Sequence, residues 1–523
     1  MTICEVTGSM TSLYKKGLRS LQHGDATVAA DTFVNALKRD PDNTLLLYHL
    51  GQSLAALGDG SSARQAWRRV VMIDSAFQPA LLSLSQAMRE ACDWNGLDQV
   101  DRAMDAATEK MLAAGHCPLE RPLINMIRRD DPLRNRAIAE AWAKLHAHNI
   151  IQLPERKRSS GRKTCIGYIG GQWYSHPVMQ TMSFVMAAHD RERFEIIGFD
   201  CGPAHNDPFR RRALAAVDRH ITLDLQKPLV AARRIRKEKI DILVDLTGHS
   251  ESSPLPVLAC RPAPVQLSYL GFIGTSGASY IDGLVTDPVL AMPGMENLFY
   301  NEKLVKLPDT FLSIGATPEA REVPTTRAEQ GLPPDAFVLA SFNHTKKLHP
   351  RMFDLWMEVL VEFPKTVLWL HGSEEALGRL RARAKAANVD PLRLIHAPTV
   401  NYFHHIARIG LADLALDTHP YGGGGTSGLL LRSDVPVITL KGHHSGSRMT
   451  ASLLHSLGLD ELTAEDIEGY KALICQAVGD TDWPARMKRR FDSEKARQST
   501  LHDPTRLARQ LEQLFSDLCM TAC

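Results

Sequence analysis

The sequence lacks the marks of membrane and secreted proteins. None of its apolar runs approaches the roughly 18 uninterrupted residues that a membrane-spanning helix needs. The opening residues, MTICEVTGSM, contain neither the basic segment nor the apolar segment of a secretory signal. Both absences favour a cytoplasmic protein with no membrane partner.

An excess of charge of one sign is also lacking. The chain carries 61 Lys and Arg against 59 Asp and Glu, a formal net charge of +2. This balance gives no electrostatic reason to expect nucleic acid as a partner. The most basic segment, PERKRSSGRK at 154–163, has no aromatic or wider basic support, and we interpret it as a solvated linker.

The nine cysteines include no C-x-x-C pair, and the closest two, Cys519 and Cys523, lie at the end of the chain. Reduced thiols are therefore expected, and a disulfide scaffold or zinc site is not. The Asp-x-Asp of GDTD (479–482) resembles a metal motif, but it lies in a helical tail, so no metal is predicted. The composition, 44% hydrophobic and 23% charged, indicates a soluble globular protein, and 523 residues suggest about three domains.

The first hundred residues contain a repeat with a period of 34. Adding 34 to the positions of Gly17, Ala29, Phe33 and Ala36 leads to Gly51, Ala63, Trp67 and Val70. Small residues fall where two helices of a hairpin must approach, and the aromatic residue fills the hole between them. The pattern predicts tetratricopeptide repeats over 10–111, the third copy being degenerate, with a plain helical bundle as the alternative. Such repeats could bind protein partners or form a homodimer contact.

After a helical connector and linker (112–160), short β-branched runs alternate with helical stretches. One set of runs lies within 161–315 and another within 336–515, and a Pro-, Glu- and Thr-rich connection at 316–335 separates them. The alternation predicts two α/β domains, each with a parallel sheet covered by helices. Two such domains in tandem would place a ligand cleft at the carboxyl ends of their strands.

The most unusual stretch is DTHPYGGGGTSGLL (417–430), where four glycines separate a strand-like run from a helix-like run. Glycine has no Cβ, so backbone N–H groups in such a turn can touch an anion. Thr426 or Ser427 is predicted to cap and begin the helix, whose N-terminus attracts negative charge. A phosphate or diphosphate is the predicted occupant, and a flexible surface loop is the alternative. The stretch is neither a P-loop nor a dinucleotide fingerprint.

Two other elements support an anion site. Lys346 and Lys347 lie between a strand-like run and a helix expected to begin near Pro350, so a lysine there could neutralise the same diphosphate. His405 and Arg408 lie three residues apart on one helical face, where they could flank a nucleobase and a phosphate. Surface lysines and a helix-capping His–Arg pair are the corresponding alternatives.

Together these motifs resemble those of the protein O-N-acetylglucosamine transferases and their plant relatives, the SPINDLY-type O-fucosyltransferases. The resemblance runs from residue 12 to about 480. It is carried by ACDW (91–94), GYIGGQWYSHP (167–177), LTGHS (246–250), CRPAPVQLSYLGFIGTSG (260–277), LVTDPVL (284–290), LVKLPDTFL (304–312), FNHTKKLHP (342–350) and SRMTASLL (447–454). It implies the GT-B fold, in which two Rossmann-like halves hold a nucleotide sugar mainly through the second half.

The resemblance also implies catalytic roles. Lys347 matches the family's essential lysine on the UDP diphosphate, and His176 matches a histidine proposed as the general base. His249, Gly274 and Thr275 fall in motifs that are expected to line the sugar or acceptor cleft.

Other positions match the nucleotide-sugar site of the family. His344 stands where O-GlcNAc transferases have a glutamine, and His405 and Arg408 match residues on the uridine side. The predicted nucleotide-sugar site consists of His344, His405, Arg408, Gly425, Thr426 and Ser427.

The sequence departs from the family pattern in places. Leu429 and Leu430 stand where an acidic residue reaches the ribose or lies near it. His249 and the Pro-Tyr of the glycine stretch resemble the SPINDLY branch, whereas Arg408 and SRMTAS resemble the O-GlcNAc transferases. These departures leave the identity of the sugar open.

The implied reaction transfers a sugar, foremost N-acetylglucosamine from UDP-N-acetylglucosamine, to a Ser or Thr hydroxyl of a protein, with inversion and without a metal or other cofactor. Lys347, the amides of 425–427 and the helix dipole would stabilise the charge of the departing diphosphate. Fucosyl transfer from GDP-fucose and hexosyl transfer to asparagine are the alternatives within the enzyme class. A catalytically degenerate tetratricopeptide adaptor is the alternative from another class.

Overall fold

The computed structural model describes residues 8–156, 161–315 and 324–521. Residues 157–160 of the predicted linker and 316–323 of the predicted interdomain connection lie outside the described residues. The chain divides after Glu120 into two compact units. The finer domain boundaries drawn from the sequence stay predictions.

The first unit is helical throughout its described length. Each helix packs on the next along the chain. Short polar residues begin several of them, because a side-chain oxygen at this position accepts a free N–H of the first turn, as Asp25, Asn43 and Asp59 do. The helices are α1 (Gly8–Gln22), α2 (Ala26–Leu37), α3 (Thr44–Ala56), α4 (Gly60–Ile73), α5 (Gln78–Glu90) and α6 (Leu97–Ala113).

The glycine and aromatic positions of the 34-residue repeat meet inside this unit. A Cβ added at Gly17 would lie 2.6 Å from the Phe33 ring, and one added at Gly51 would lie 2.4 Å from Nε1 of Trp67. Phe33 and Trp67 are both buried. The sequence predicted that glycine is needed where one helix approaches the aromatic residue of the next. The structure confirms this close approach at both positions.

We expect Gly51→Ala to lower the stability of the first unit by about 1–3 kcal/mol, because the added methyl group overlaps the buried Trp67. Hydrogen exchange of the α3 and α4 amides measures this loss. The matched control is Gly378→Ala in a helix of the second unit, where a Cβ meets nothing within 4 Å. That change should be neutral or stabilise its own helix by about 0.5–1 kcal/mol. Unchanged exchange in the Gly51 variant would contradict the packing argument.

The second unit contains two parallel sheets. The first has the order β3-β2-β1-β4-β5-β6-β7 and the second has the order β10-β9-β8-β11-β12-β13. The strands are β1 (Thr164–Gly170), β2 (Phe194–Asp200), β3 (Arg219–Thr222), β4 (Ile242–Asp245), β5 (Val265–Ser268), β6 (Gly283–Thr286), β7 (Lys303–Lys306), β8 (Phe337–Ser341), β9 (Thr366–His371), β10 (Leu394–Ala397), β11 (Leu414–Leu416), β12 (Val437–Leu440) and β13 (Thr463–Ala464).

Helices connect these strands and cover the sheets. Many begin with proline, whose fixed φ angle suits the first helical turn. They are α7 (Pro122–Arg128), α8 (Pro132–Ala147), α9 (Pro177–Ala188), α10 (Pro208–Ala215), α11 (Pro228–Lys237), α12 (Leu255–Ala259), α13 (Glu296–Phe299), α14 (Pro350–Glu362), α15 (Glu374–Ala386), α16 (Tyr402–Ile409), α17 (Gly425–Arg432), α18 (Met449–Leu457), α19 (Ile467–Gly479), α20 (Trp483–Phe491), α21 (Glu494–Arg497) and α22 (Pro504–Thr521).

The central strands are buried on both faces, as expected of parallel strands covered by helices. The prediction of two Rossmann-like halves is confirmed. The structure adds that the order of strands reverses next to β1 in the first sheet and next to β8 in the second.

The two halves of this unit contact each other through polar and aromatic groups. The Ser452 hydroxyl of α18 donates to Asp287, which follows β6, at 2.6 Å. Phe209 of α10 packs edge-on against Tyr402 of α16, with ring centroids 4.8 Å apart. These contacts fix how the carboxyl edges of the two sheets face each other.

The last helix, α22, returns to the first half and packs on α9. Nδ1 of buried His189 lies 3.0 Å from a Glu512 carboxylate oxygen, and its Nε2 lies 2.8 Å from the Tyr168 hydroxyl. Burial opposes the ionisation of Glu512, but hydrogen bonds from His189, the Asp190 N–H and Arg509 outweigh it and lower the pKa of Glu512 to about 2, so the carboxylate stays ionised. A buried carboxylate of this kind anchors the end of the chain to the first sheet.

Candidate active site

Strands β8 and β11 are neighbours in the second sheet, and the connections that leave them run to opposite sides. In open α/β sheets, such a reversal of strand order creates a crevice at the carboxyl edge, where ligands bind. The loop after β8 carries Lys347, and the loop after β11 carries the glycine run at 422–425. The topology therefore brings together the two segments that the sequence singles out.

Lys347 ends a short 3₁₀ turn, Thr345–Lys347, and its side chain is half-buried. Its Nζ donates to the carbonyl oxygen of Gly422 at 2.9 Å and lies 3.5 Å from Oδ1 of Asn343. The ammonium group also lies 4.8 Å from the centre of the Tyr421 ring. Burial lowers the pKa of Lys347 to about 8, against the opposing effect of the Asp417 charge. Lys347 thus places a positive charge in direct contact with the glycine run.

Three of the four glycines are required by their immediate surroundings. A Cβ at Gly422 would lie 2.6 Å from an oxygen of Asp417, and one at Gly423 would lie 2.4 Å from Oγ of Ser427. A Cβ at Gly424 would lie 2.9 Å from the sulfur of Met449. At Gly425, however, the nearest neighbour would be Cβ of Pro177 at an ordinary 3.5 Å.

The helix after the glycines begins one to two residues earlier than predicted. Gly425 is its first residue, and Gly424 occupies the capping position without a side-chain hydrogen bond. The prediction that Thr426 or Ser427 caps this helix was therefore wrong; they lie in its first turn, where Ser427 is buried and contacts the Thr450 hydroxyl at 2.9 Å. Because no side chain caps it, the first turn presents backbone N–H groups that an anion can accept.

Asp417, at the end of β11, was not singled out in the sequence. Asp417 is 2% exposed, and its carboxylate holds the glycine turn in place through hydrogen bonds. Its Oδ1 accepts the N–H of Gly423 at 2.8 Å, and its Oδ2 accepts the hydroxyl of Thr450 at 2.6 Å. The sequence could have indicated Asp417 only through its position, because an acidic residue directly after a buried strand often lies at the functional edge of a parallel sheet.

His405 and Arg408 both lie on α16, beside the same edge of the second sheet. Arg408 is 3% exposed, and its Nη2 donates to the carbonyl of Pro398 at 2.8 Å. Its Nε and Nη1 find no hydrogen-bond partner within the described part of the chain. Such buried, unused donors are costly unless a ligand accepts from them. His405 packs edge-on against Phe342, 5.3 Å between centroids, and burial lowers its pKa to about 4.

His344 lies on the loop between β8 and Lys347. Its side chain is exposed, and its Nδ1 accepts the N–H of Lys346 at 3.3 Å. His344 is three residues before the lysine that contacts the glycine run, and a role in the nucleotide-sugar site stays a prediction.

His176 precedes α9 in the first half, and its Nδ1 accepts the N–H of Val178 at 3.3 Å. Burial lowers the pKa of His176 to about 4, so the ring is neutral near pH 7. An accepting Nδ1 places the ring proton on Nε2. Cβ of Pro177 is the atom nearest to a Cβ placed on Gly425. The N-terminus of α9, in the first half, therefore faces the N-terminus of α17, in the second half.

His249, Gly274 and Thr275 are buried in the first half, where they contact other residues of the same half. His249 uses Nε2 to donate to the carbonyl of Ser276 at 2.7 Å, and Thr275 donates to Glu302 at 2.7 Å. A Cβ at Gly274 would lie 3.1 Å from the Phe272 ring. These contacts shape the loop that carries them, and a role in the sugar or acceptor cleft stays a prediction.

The described parts of the chain contain no group of three or more His, Cys, Asp or Glu side chains arranged to hold a metal ion. The Asp-x-Asp at 480–482 follows α19, where Asp480 accepts the N–H of Asp482 and pairs with Arg486. No helix within 8–156, 161–315 or 324–521 combines the length and apolar character needed to cross a bilayer. The seven cysteines that the structure describes carry free thiols.

Comparison with known proteins identifies relatives of this chain. The family model of Glycosyl transferase family 41 matches residues 91–317 and 313–511. A protein described as "Probable UDP-N-acetylglucosamine--peptide N-acetylglucosaminyltransferase SEC" of Arabidopsis thaliana is 32% identical over 61% of this chain and 33% of its own length. The UDP-N-acetylglucosamine–peptide N-acetylglucosaminyltransferase of Caenorhabditis elegans is 24% identical over 82% of this chain and 48% of its own length. The chain thus spans a third to a half of these relatives.

One solved structure matches along almost the whole chain. It is a lysine-to-methionine mutant of the Thermobaculum terrenum O-GlcNAc transferase, with a TM-score of 0.77 and 27% identity. The match covers 99% of this chain and 100% of that one. The helical first unit and the two sheets therefore occur together in a protein of similar length.

Proposed function

The chain belongs to Glycosyl transferase family 41, and we propose that it transfers N-acetylglucosamine from UDP-N-acetylglucosamine to Ser or Thr hydroxyls of protein acceptors. The observation that carries the proposal is the meeting of Lys347 with the glycine run at the strand-order reversal of the second sheet. The names of the Arabidopsis and nematode relatives support the same donor and a peptide acceptor, and the name of the Thermobaculum protein supports O-linked transfer of N-acetylglucosamine.

The proposed reaction is a single displacement at the anomeric carbon. The acceptor oxygen forms a bond to C1 from one face while the bond from C1 to the diphosphate oxygen breaks on the other, so the configuration inverts. The hydroxyl proton leaves to a base, and the electron pair of the broken bond adds one negative charge to the diphosphate of UDP. Preorganised donors aimed at a developing charge are usually the largest catalytic contribution. Lys347 and the uncapped first turn of α17 are these donors in our proposal.

Arg408 and His405 are the candidates for the uridine side of the donor. The two unused donors of Arg408 are suited to carbonyl or phosphate oxygens. His405 is neutral near pH 7 because of its lowered pKa, so it can pack against a nucleobase without carrying a buried charge.

His176 is better suited to donate a hydrogen bond than to act as the base. Its Nδ1 is used by the Val178 N–H, and its other ring nitrogen carries the proton. A general base needs a free lone pair within reach of the acceptor hydroxyl. We therefore assign Nε2–H of His176 to hydrogen bonding with the donor sugar or diphosphate and leave the base unassigned.

We expect kcat/KM to fall as the pH rises through about 8, the pKa of Lys347. Burial disfavours the charged form and thereby lowers the pKa of Lys347. The side chain is therefore mostly protonated below about pH 8 and mostly neutral above it. The neutral amine cannot offset the diphosphate charge. His176 and His405 are already neutral above about pH 4, so neither should produce an inflection near the ordinary histidine range. Rates measured over about pH 5 to 10 test this, and a flat alkaline side would contradict it.

The donor is tested by thermal shift and transfer assays with UDP-N-acetylglucosamine, UDP-glucose and GDP-fucose. A ligand that binds only the folded protein raises its stability by mass action. The proposal expects the largest shift and the only transfer to a Ser/Thr peptide with UDP-N-acetylglucosamine, unaffected by EDTA because Lys347 and α17 supply the positive charge. Preference for GDP-fucose would indicate the fucosyl alternative. An adaptor without catalytic function would show neither binding nor donor hydrolysis.

The role of the helical first unit follows from the same proposal. Packed helical repeats commonly present a surface to protein segments. We propose that this unit contacts acceptor proteins, with a homodimer contact as its alternative use.

A further inference from the structure

Hydrogen bonds from several segments around the crevice meet at the carboxylate of Asp417. It accepts five hydrogen bonds, which come from four separate segments of the second half. The donors are Nδ2 of Asn343 at 3.0 Å, N of Thr418 at 2.9 Å, N of Gly423 at 2.8 Å, Oγ1 of Thr439 at 2.8 Å and Oγ1 of Thr450 at 2.6 Å. Two neutral hydroxyls and three amides satisfy a charge that is almost fully buried.

These donors tie together four segments of the second half at the predicted diphosphate site. Asn343 belongs to the loop after β8, Gly423 to the glycine turn, Thr439 to β12 and Thr450 to α18. Thr450 also contacts Oγ of Ser427, so the first turn of α17 is bound to the same carboxylate through one hydroxyl. A fixed Asp417 therefore fixes the N–H groups that would meet the diphosphate.

Asp417 is also connected to Lys347. The amide of Asn343 donates to Asp417 through Nδ2, and its Oδ1 lies 3.5 Å from the Lys347 ammonium group. The other groups that face Lys347 are the neighbouring cation Lys346 and the ring of Tyr421. Of the two charged neighbours, Asp417 favours the charged form of the lysine and Lys346 opposes it.

We propose that Asp417 is the positioning residue of the diphosphate site: it holds the glycine turn in shape and serves as the counter-ion of Lys347 while the site is empty. When UDP binds, the diphosphate takes over the role of counter-ion, and the turn keeps its geometry because its hydrogen bonds to Asp417 do not change. This inference rests on the proposed function for the identity of the ligand.

The decisive variant is Asp417→Asn, which keeps the size of the side chain and removes its charge. The pKa of Lys347 is read in the ligand-free protein from the pH dependence of its acetylation by trace acetic anhydride, detected by mass spectrometry. We expect this pKa to move further below its wild-type value. UDP affinity should fall roughly ten- to a hundredfold, more at alkaline than at neutral pH, because a charge-assisted network has been lost.

Two other variants separate charge from geometry. Asp413→Asn removes a carboxylate at the opposite end of the same strand, where it accepts the N–H of Val338 and pairs with Arg327. It should leave both the pKa of Lys347 and UDP affinity unchanged. Thr450→Val loosens the turn but keeps the charge, so UDP affinity should fall while the pKa of Lys347 stays at its wild-type value.

The outcomes distinguish this inference from the proposed function. An unchanged lysine pKa in the Asp417 variant, or an equal shift in the Asp413 variant, would overturn the counter-ion role. Wild-type UDP affinity in the Thr450 variant would overturn the positioning role, even if the Asp417 variant failed to fold. If the wild-type protein transferred no sugar from any donor, the proposed function would fail, whereas the acetylation measurement would still decide the link between Asp417 and Lys347.

Discussion

Lys347→Met should slow sugar transfer by roughly 10²- to 10³-fold while leaving the protein folded. The estimate corresponds to about 2.7–4 kcal/mol, the typical cost of removing one donor that stabilises a developing negative charge. Methionine has nearly the length of lysine and no charge, so the side chain can still pack beside Tyr421. The loss should appear mainly in kcat, because the diphosphate gains charge as the bond to the sugar breaks.

Lys346→Met is the matched control for this experiment. Lys346 adjoins Lys347 and carries the same charge, and the Lys346 N–H donates to His344 at 3.3 Å. Its replacement should change kcat by less than about twofold, because Lys346 is partly exposed and a charge in that position acts weakly through solvent. Lys347→Arg adds a second test, since it keeps the charge but spreads it over a bulkier planar group at the place where Lys347 makes its 2.9 Å contact with the Gly422 carbonyl. Transfer at the wild-type rate by the Lys347→Met protein would refute the assignment.

The parts of this molecule that sequence reasoning predicted are those in which local pattern and packing agree. The 34-residue period follows from Gly17 and Gly51 meeting Phe33 and Trp67, a contact between neighbouring helices. The two parallel sheets follow from apolar runs that are buried on both faces. Lys347 and the glycine run were each recognisable because they stood between a strand-like run and a helix-like run.

The parts that the sequence did not reveal depend on contacts between distant segments. Asp417 is an ordinary acidic residue in the sequence, and its importance comes from partners as far away as Asn343 and Thr450. Glu302, which holds the Thr275–Ser276 turn from 26 to 27 residues away, was missed for the same reason. The start of α17 was misplaced because Thr and Ser are good capping residues by preference, whereas here Ser427 is needed inside against Thr450.

The glycine run offers a matched pair of substitutions two residues apart. Gly425→Ala should leave the fold intact, because the added methyl group would make only ordinary van der Waals contact. The new methyl group would lie 3.5 Å from Pro177, in the space between the N-termini of α17 and α9. If the diphosphate occupies that space, UDP affinity should fall by at least about tenfold, a cost of about 1.4 kcal/mol.

Gly423→Ala should have the opposite profile. Its methyl group would overlap the buried Oγ of Ser427 at 2.4 Å and crowd Oδ1 of Asn343 at 3.2 Å. Overpacking of this kind typically costs about 1–3 kcal/mol, so the protein should lose stability before any ligand is added. Urea unfolding and UDP titration of both variants separate the two effects, since one variant loses binding without losing stability and the other loses stability first. A Gly425→Ala protein that bound UDP as the wild type does would place the diphosphate away from this turn, and the assignment of the turn to the leaving group would have to be abandoned.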